Sequence, residues 1–310
     1  MSSPETVPPT SESDAHTRQL QRHVARQQIA TPLSLLIFIV AATLAQTVAK
    51  PSLKEISNTY LTVLTPNSAT VGAYWVALGV LLVGHCVMLA VPGKSIALLV
   101  NGVGLRLAAV NILMAVWTLC FVFGPKGQAW FIAAEIILLL VFVLALSMWA
   151  TLFYYPSTHR RPIEFAFAHV PIRMLLIILL EVDIWQGGLL ALGYYRHPTG
   201  DKPHWEAKHS MHSWIIFGIV LGVALLQAVQ VFYQRDVVWA ACSILLYVAL
   251  CLNSEGKSPP VFIALVLSAC LIFVSLVSSI GWALIKSDRE GAIRLVDGED
   301  EDHVVAEEEV

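Results

Sequence analysis

The stretch LLIILLEVDIWQGGLLALG, Leu175–Gly193, decides how the chain is read. It is apolar over most of its length and long enough to cross hydrocarbon as a helix, which takes roughly 17–25 residues. Yet it holds two carboxylates, Glu181 and Asp183. Two residues along an α-helix turn the chain by about 200°, so the two acids point to nearly opposite faces and cannot share one site on one face. At least one must look into a bundle of other helices, towards a partner or water. A lone charge at mid-membrane costs about 2.5–3.5 kcal/mol even on the lenient insertion scale. A neutral, protonated acid avoids much of that cost.

The rest of the chain supplies the bundle. Of 310 residues 57% are hydrophobic and 13% charged, about half the charge of a soluble domain. Eight apolar spans are expected, at 31–49, 71–91, 97–123, 129–155, 171–195, 213–233, 237–253 and 261–285. Turn formers punctuate them, among them Pro92-Gly93, Gly124-Pro125 and Pro259-Pro260. Aromatic residues gather at many span ends, where amphipathic rings settle at headgroup depth. The third span begins either at 97 or only near Leu107, and in the second case Ser95–Arg106 is an interfacial or broken segment. The expected fold is therefore all-α: a polytopic integral membrane protein of about eight transmembrane helices. The lipid bilayer is its first partner.

Residues 1–30 are read as a disordered, then basic, N-terminal segment, with Arg18, Arg22 and Arg26 every fourth residue. Residues 286–310 hold three bases against ten acids, net −7, which leaves +4 on the remainder of a chain of net charge −3. They are read as an acidic disordered tail. An even number of spans puts both ends on one side, and that side carries eleven Lys and Arg against seven on the other, with Arg106 left out. The excess marks it as cytosolic, in an endomembrane or the plasma membrane. No basic block stands outside the spans, so no nucleic-acid partner is expected. The five cysteines all lie in apolar runs, as packing residues rather than a disulfide framework.

Within the membrane the candidate polar core is Arg106, Glu135, Glu181, Asp183 and Gln186, with Asn101 and Asn111 able to hydrogen-bond between helices. If the third span begins near 97, Arg106 lies about 15 Å in from its end and is the candidate partner of Asp183, the midpoint of the fifth span. The bland alternative is a buried ion pair and polar glue between helices. The loop RHPTGDKPHWEAKHSMH, 196–212, places His204, Glu206, His209 and His212 where imidazole and carboxylate could bind zinc or copper. Its bland alternative is a solvated polar loop. His85 stands alone in the second span; a haem needs paired axial ligands, so it is read as a polar packing contact. Gly218 and Gly222 form a small-residue face suited to close helix packing. PGKS at Pro92–Ser95 lacks the first glycine of a phosphate loop, Met88 standing there, and no strand precedes it.

At NGVGLRLAAVN (101–111), FIAAEIILLL (131–140) and RRPIEFAFAHVPIRMLLIILLEVDIWQGGLLALGYY (160–195), the chain resembles a fungal family of multi-span membrane proteins catalogued as a domain of unknown function. The resemblance implies a polytopic membrane protein with no assigned activity, and a polar core at Arg106, Glu135 and Glu181–Gln186. Two classes of function remain. One is a transporter or channel for a small solute or ion. The other is a non-catalytic scaffold or assembly protein whose charges hold helices together; catalysis is not expected. A transporter requires a cavity reaching Glu181 or Asp183, whereas a scaffold requires those groups dry and paired. The sequence sets no oligomeric state.

Overall fold

The computed structural model describes residues 11–91, 98–155, 162–196, 204–253 and 257–307, with side chains for 24–91, 98–155, 162–196, 212–253 and 257–285. The helices are α1 (Ser11–Thr47), α2 (Leu53–Thr59), α3 (Ser68–Ala90), α4 (Leu105–Phe123) and α5 (Gln128–Leu152). They continue with α6 (Pro162–Ala191), α7 (His204–Gln234), α8 (Val237–Leu252) and α9 (Pro259–Glu307). No strand occurs among the described residues. Seven helices are long and apolar enough to span a membrane, and α8 is a shorter apolar helix. The chain is a multi-pass, all-α integral membrane protein.

The helices bury one apolar face and leave another apolar face outward, which is the pattern of a bundle in lipid rather than in water. On α5 the buried residues are Phe131, Ala134, Leu138, Val141, Ala145, Met148 and Leu152. Their alternating steps of three and four are those of left-handed helix packing. On α3, Tyr74, Leu78, Leu82, His85 and Leu89 face inward while Val76, Val80, Val83 and Val87 are exposed. α6 differs in being buried all round: Met174 to Leu179 are buried without a break. It is the central helix, with α3, α5 and α8 packed on it. It separates a sub-bundle of α1, α3, α4 and α5 from one of α7, α8 and α9.

Contacts at the two ends show that α8 crosses the bundle. Its N-cap Asp236 accepts from Trp239 N and pairs with Arg173, Nε to Oδ2, at 3.1 Å. At its other end Ala249 O accepts from Asn67 N, and Asn253 Nδ2 donates to Thr65 O. Counting α8, eight apolar helices cross the bundle among the described residues, from the Arg173–Asp236 end to an opposite end. The opposite end carries α2, which is closed by a capping box between Ser52 and Glu55.

Four features decide between or depart from the sequence readings. The first is the third span, which begins at Leu105, close to the later of the two starts left open by the sequence. Residues Leu98–Val103 form a π-turn, and Gly104 breaks it from α4 at φ +61°, a conformation that a side chain would strain. The second is α6, which starts at Pro162 rather than 171. A π-turn at Phe165–His169 lets the helix run through Pro171. Asp183 is therefore not the midpoint but lies eight residues from the far end, about 12 Å. The third is at the ends: helix runs from Ser11 in α1 and to Glu307 in α9, through stretches read above as disordered. Helix propagation from a formed span costs little; α9 has no proline beyond its first turn, whereas α1 runs through Pro32, which leaves one backbone carbonyl without its helical donor. The fourth is Gly218 and Gly222, which are exposed, with nothing near where a Cβ would stand. Among the described residues, no helix uses that face for close packing.

Candidate functional site

The π-turn Leu179–Asp183 shapes the centre of α6. Ile184 N donates back to Leu179 O instead of Leu180 O, so Leu180 O loses its helical donor. The indole of Trp185 replaces it, Nε1 to Leu180 O at 2.7 Å. The same solution appears at the first π-turn. Pro171 has no N–H to give to Phe167 O, four residues back. His85 of α3 supplies the hydrogen bond, Nδ1 to Phe167 O at 2.9 Å. Since a carbonyl only accepts, His85 carries its proton on Nδ1. The lone histidine is thus a structural contact whose cause is a proline on another helix.

The turn presents its acids to opposite sub-bundles, as the helical period required. Asp183 faces Glu135 of α5 and lines a cavity of about 850 Å³ between α1, α2, α3, α4, α5 and α6. Glu135, Gln186 and Gly187 line it beside Asp183. Glu135 stands seven residues into α5, about 10 Å from its start, so the two carboxylates line the cavity below the α2 end of the bundle, and Val80 and Val83 of α3 line it farther in. Gly187 makes room for them, since a Cβ there would overlap Glu135 Oε2. Gln186 Nε2 donates to Ser57 Oγ of α2 at 3.3 Å, tying the rim to α6. Phe38, Trp75, Trp117, Phe121 and Phe131 give the cavity aromatic walls, and the exposed Lys54 of α2 and the outward-facing Val76, Val80 and Val83 of α3 also line it.

Glu135 Oε2 and Asp183 Oδ2 are buried and have no hydrogen-bond partner among the described residues. Two carboxylates without a counter-charge repel each other and pay for desolvation, unless a proton or a cation lies between them. Glu181, on the other face of the turn, is 4% exposed, and neither of its oxygens has a partner among the described residues.

Arg106 is not among the residues that line the cavity. It is the second residue of α4 and gives its donors to Gly102 O, to Ser147 O at 3.0 Å and to Thr151 Oγ1 at 2.8 Å. Ser147 stands twelve residues beyond Glu135 on α5, about 18 Å along the axis. The expected Arg106–Asp183 pair does not form, because the break at Gly104 holds Arg106 at the end of the bundle. Asn101 is exposed in the preceding π-turn, where its carbonyl accepts from Arg106. Asn111 is buried and donates to Ser34 Oγ at 3.3 Å, joining α4 to α1 as glue rather than as part of the cavity lining.

The side chains of His204, Glu206 and His209 lie outside the described residues, and with them the expected zinc or copper site. The His212 ring packs on Tyr194 with centroids 4.5 Å apart. Sequence reasoning missed the polar groups that surround Glu181, namely Gln227 on α7 and Ser243 and Tyr247 on α8. Each stands singly in an apolar run, and that isolation was the available signal. No protein-family model matches the chain, and neither a curated protein nor a solved structure matches it.

Proposed function

We propose that this protein is a carrier for a small organic cation, an amine or quaternary ammonium with an apolar body, and that Asp183 and Glu135 form its binding site. The observation that carries the reading is the cavity of about 850 Å³ lined by two carboxylates, each with one buried oxygen that has no partner among the described residues. Its size falls within the range of small-molecule sites, about 300–1,000 Å³. Its aromatic walls suit both the apolar body and the charge of an ammonium, which ring faces attract. Lys54 is exposed on α2 and forms no ion pair with either carboxylate among the described residues.

A scaffold reading accounts for Arg173–Asp236 and Asn111–Ser34, which are paired and join helices. It gives no reason for a cavity lined by two neighbouring like charges. The carrier reading also places both chain ends in the cytosol, on the excess of basic residues on that side, so the α2 end of the cavity faces the opposite side.

The test is uptake of a labelled quaternary ammonium with an aromatic body into proteoliposomes of the full-length chain. The wild type accumulates it saturably, and Asp183→Asn and Glu135→Gln each lose the saturable component. Equal uptake by the wild type, the variants and empty liposomes removes the reading.

A further inference from the structure

The far face of the same π-turn carries a second polar site, separate from the cavity. Glu181 is buried there, and neither carboxyl oxygen has a hydrogen-bond partner among the described residues. Ser243 of α8 and Gln227 of α7 face it. Both are buried, at 0% and 2% exposure, and Ser243 Oγ and Gln227 Nε2 have no partner among the described residues. Tyr247 OH approaches Gln227 Oε1 at 3.5 Å, which leaves Nε2 as the free end of the amide. Thus an acid and N–H and O–H donors stand together, close but not engaged.

The groups around the acid fix its charge. The titratable neighbours are Tyr74 from α3 and Cys242 and Tyr247 from α8. α7 contributes the amide Gln227, and Ser268 of α9 stands behind Tyr247. Glu135 of α5 faces Asp183, on the other side of the turn. None of these neighbours is a base, so an ionised Glu181 would be an uncompensated charge deep in the bundle. Asn111, by contrast, is paired to Ser34. Here the donors an ionised carboxylate needs are present and idle. π-turns are rare and recur at functional sites, and this one bears both acids.

We propose that Glu181 is a proton-binding site, a neutral carboxylic acid in this conformation that releases its proton when water reaches the seam between α6, α7 and α8. The O–H bond breaks, its electron pair stays on the carboxylate and the proton passes to water. Ser243 Oγ–H and Gln227 Nε2–H then donate to the carboxylate, and return of the proton restores the dry state. Because Asp183 lies on the same turn, the charge of Glu181 is tied to the shape of the cavity. That tie rests on the carrier reading; the proton site itself does not.

The test needs no cavity ligand. Infrared difference spectra of the full-length chain in nanodiscs are recorded across a pH titration, in water and in deuterium oxide. A carboxylic-acid carbonyl band that shifts in deuterium oxide and bleaches as pH rises is expected. It is lost in Glu181→Gln and kept in Asp183→Asn and Glu135→Gln. Ser243→Ala, which removes a donor from the ionised form, moves the bleaching midpoint up by about one pH unit. A band that survives Glu181→Gln, or a Glu181 band that neither exchanges nor titrates, overturns the proposal. If Glu181→Gln fails to fold, Ser243→Ala and Gln227→Leu carry the test, and an unmoved midpoint in both overturns it. Loss of cation uptake with an intact Glu181 band would count against the cavity reading alone.

Discussion

His85 and Pro171 make a paired prediction that no contact between their side chains would suggest. His85 donates to Phe167 O, the carbonyl that Pro171 leaves open. His85 is 2% exposed, so substitution by leucine keeps an apolar filling but removes the donor. An unsatisfied buried carbonyl costs about 1–3 kcal/mol. Measured hydrogen bonds between membrane helices average about 0.6 and reach about 1.7 kcal/mol. A loss of about 1–2 kcal/mol is therefore expected for His85→Leu. Pro171→Ala restores an N–H at the position that serves residue 167 in an α-helix. In that background His85→Leu should cost about 1 kcal/mol less than it does alone. The assay is a double-mutant cycle on reversible unfolding in mixed micelles, with helicity checked for each variant. If the four free energies add within about 0.3–0.5 kcal/mol, the histidine is not completing the proline's helix and the reasoning fails.

Trp185→Phe keeps the ring but removes the donor to Leu180 O; a loss of about 1 kcal/mol is expected in the same assay, and an unchanged stability would mean that the π-turn does not depend on the indole. Burial pulls the Lys257 ammonium down to about 8, whereas an unfolded lysine titrates at about 10.4. Between those values the unfolded chain binds a proton that the folded chain has released, so stability rises with pH across that window. Lys257→Met should flatten the rise, and a wild-type profile already flat there contradicts the shift. Tags at the two chain ends should show the same accessibility in sealed vesicles; opposite accessibility would mean an odd number of crossings.

The transmembrane architecture was legible because hydropathy and turn residues act over long windows. Each expected span corresponds to a helix, α8 included. Local backbone exceptions were not legible. NGVGLR reads equally as the start of a span or as a break before one, and the choice is made by Gly104 at φ +61°. That single dihedral moved Arg106 from the membrane interior to its edge. Pro171 reads as a helix start because proline suits a first turn, but the π-turn before it absorbed the lost hydrogen bond and extended the helix to Pro162. The opposed facing of Glu181 and Asp183 followed from helical period alone. What each acid faces did not, because Gln227, Ser243 and Glu135 lie on helices whose rotation in the bundle is set by packing.

Substitution at Gly187 changes the cavity beside Asp183 and Glu135 without changing its charge. A Cβ at this position would occupy the place of Glu135 Oε2, so Gly187→Ala forces that carboxylate aside and Gly187→Leu fills the cavity there. Binding of a labelled aromatic quaternary ammonium to the full-length chain in nanodiscs is compared for the wild type and the two variants. The account predicts saturable binding to the wild type, weaker binding to Gly187→Ala and none to Gly187→Leu, with all three folded. Undiminished binding to a folded Gly187→Leu protein would place the cation elsewhere and contradict the account.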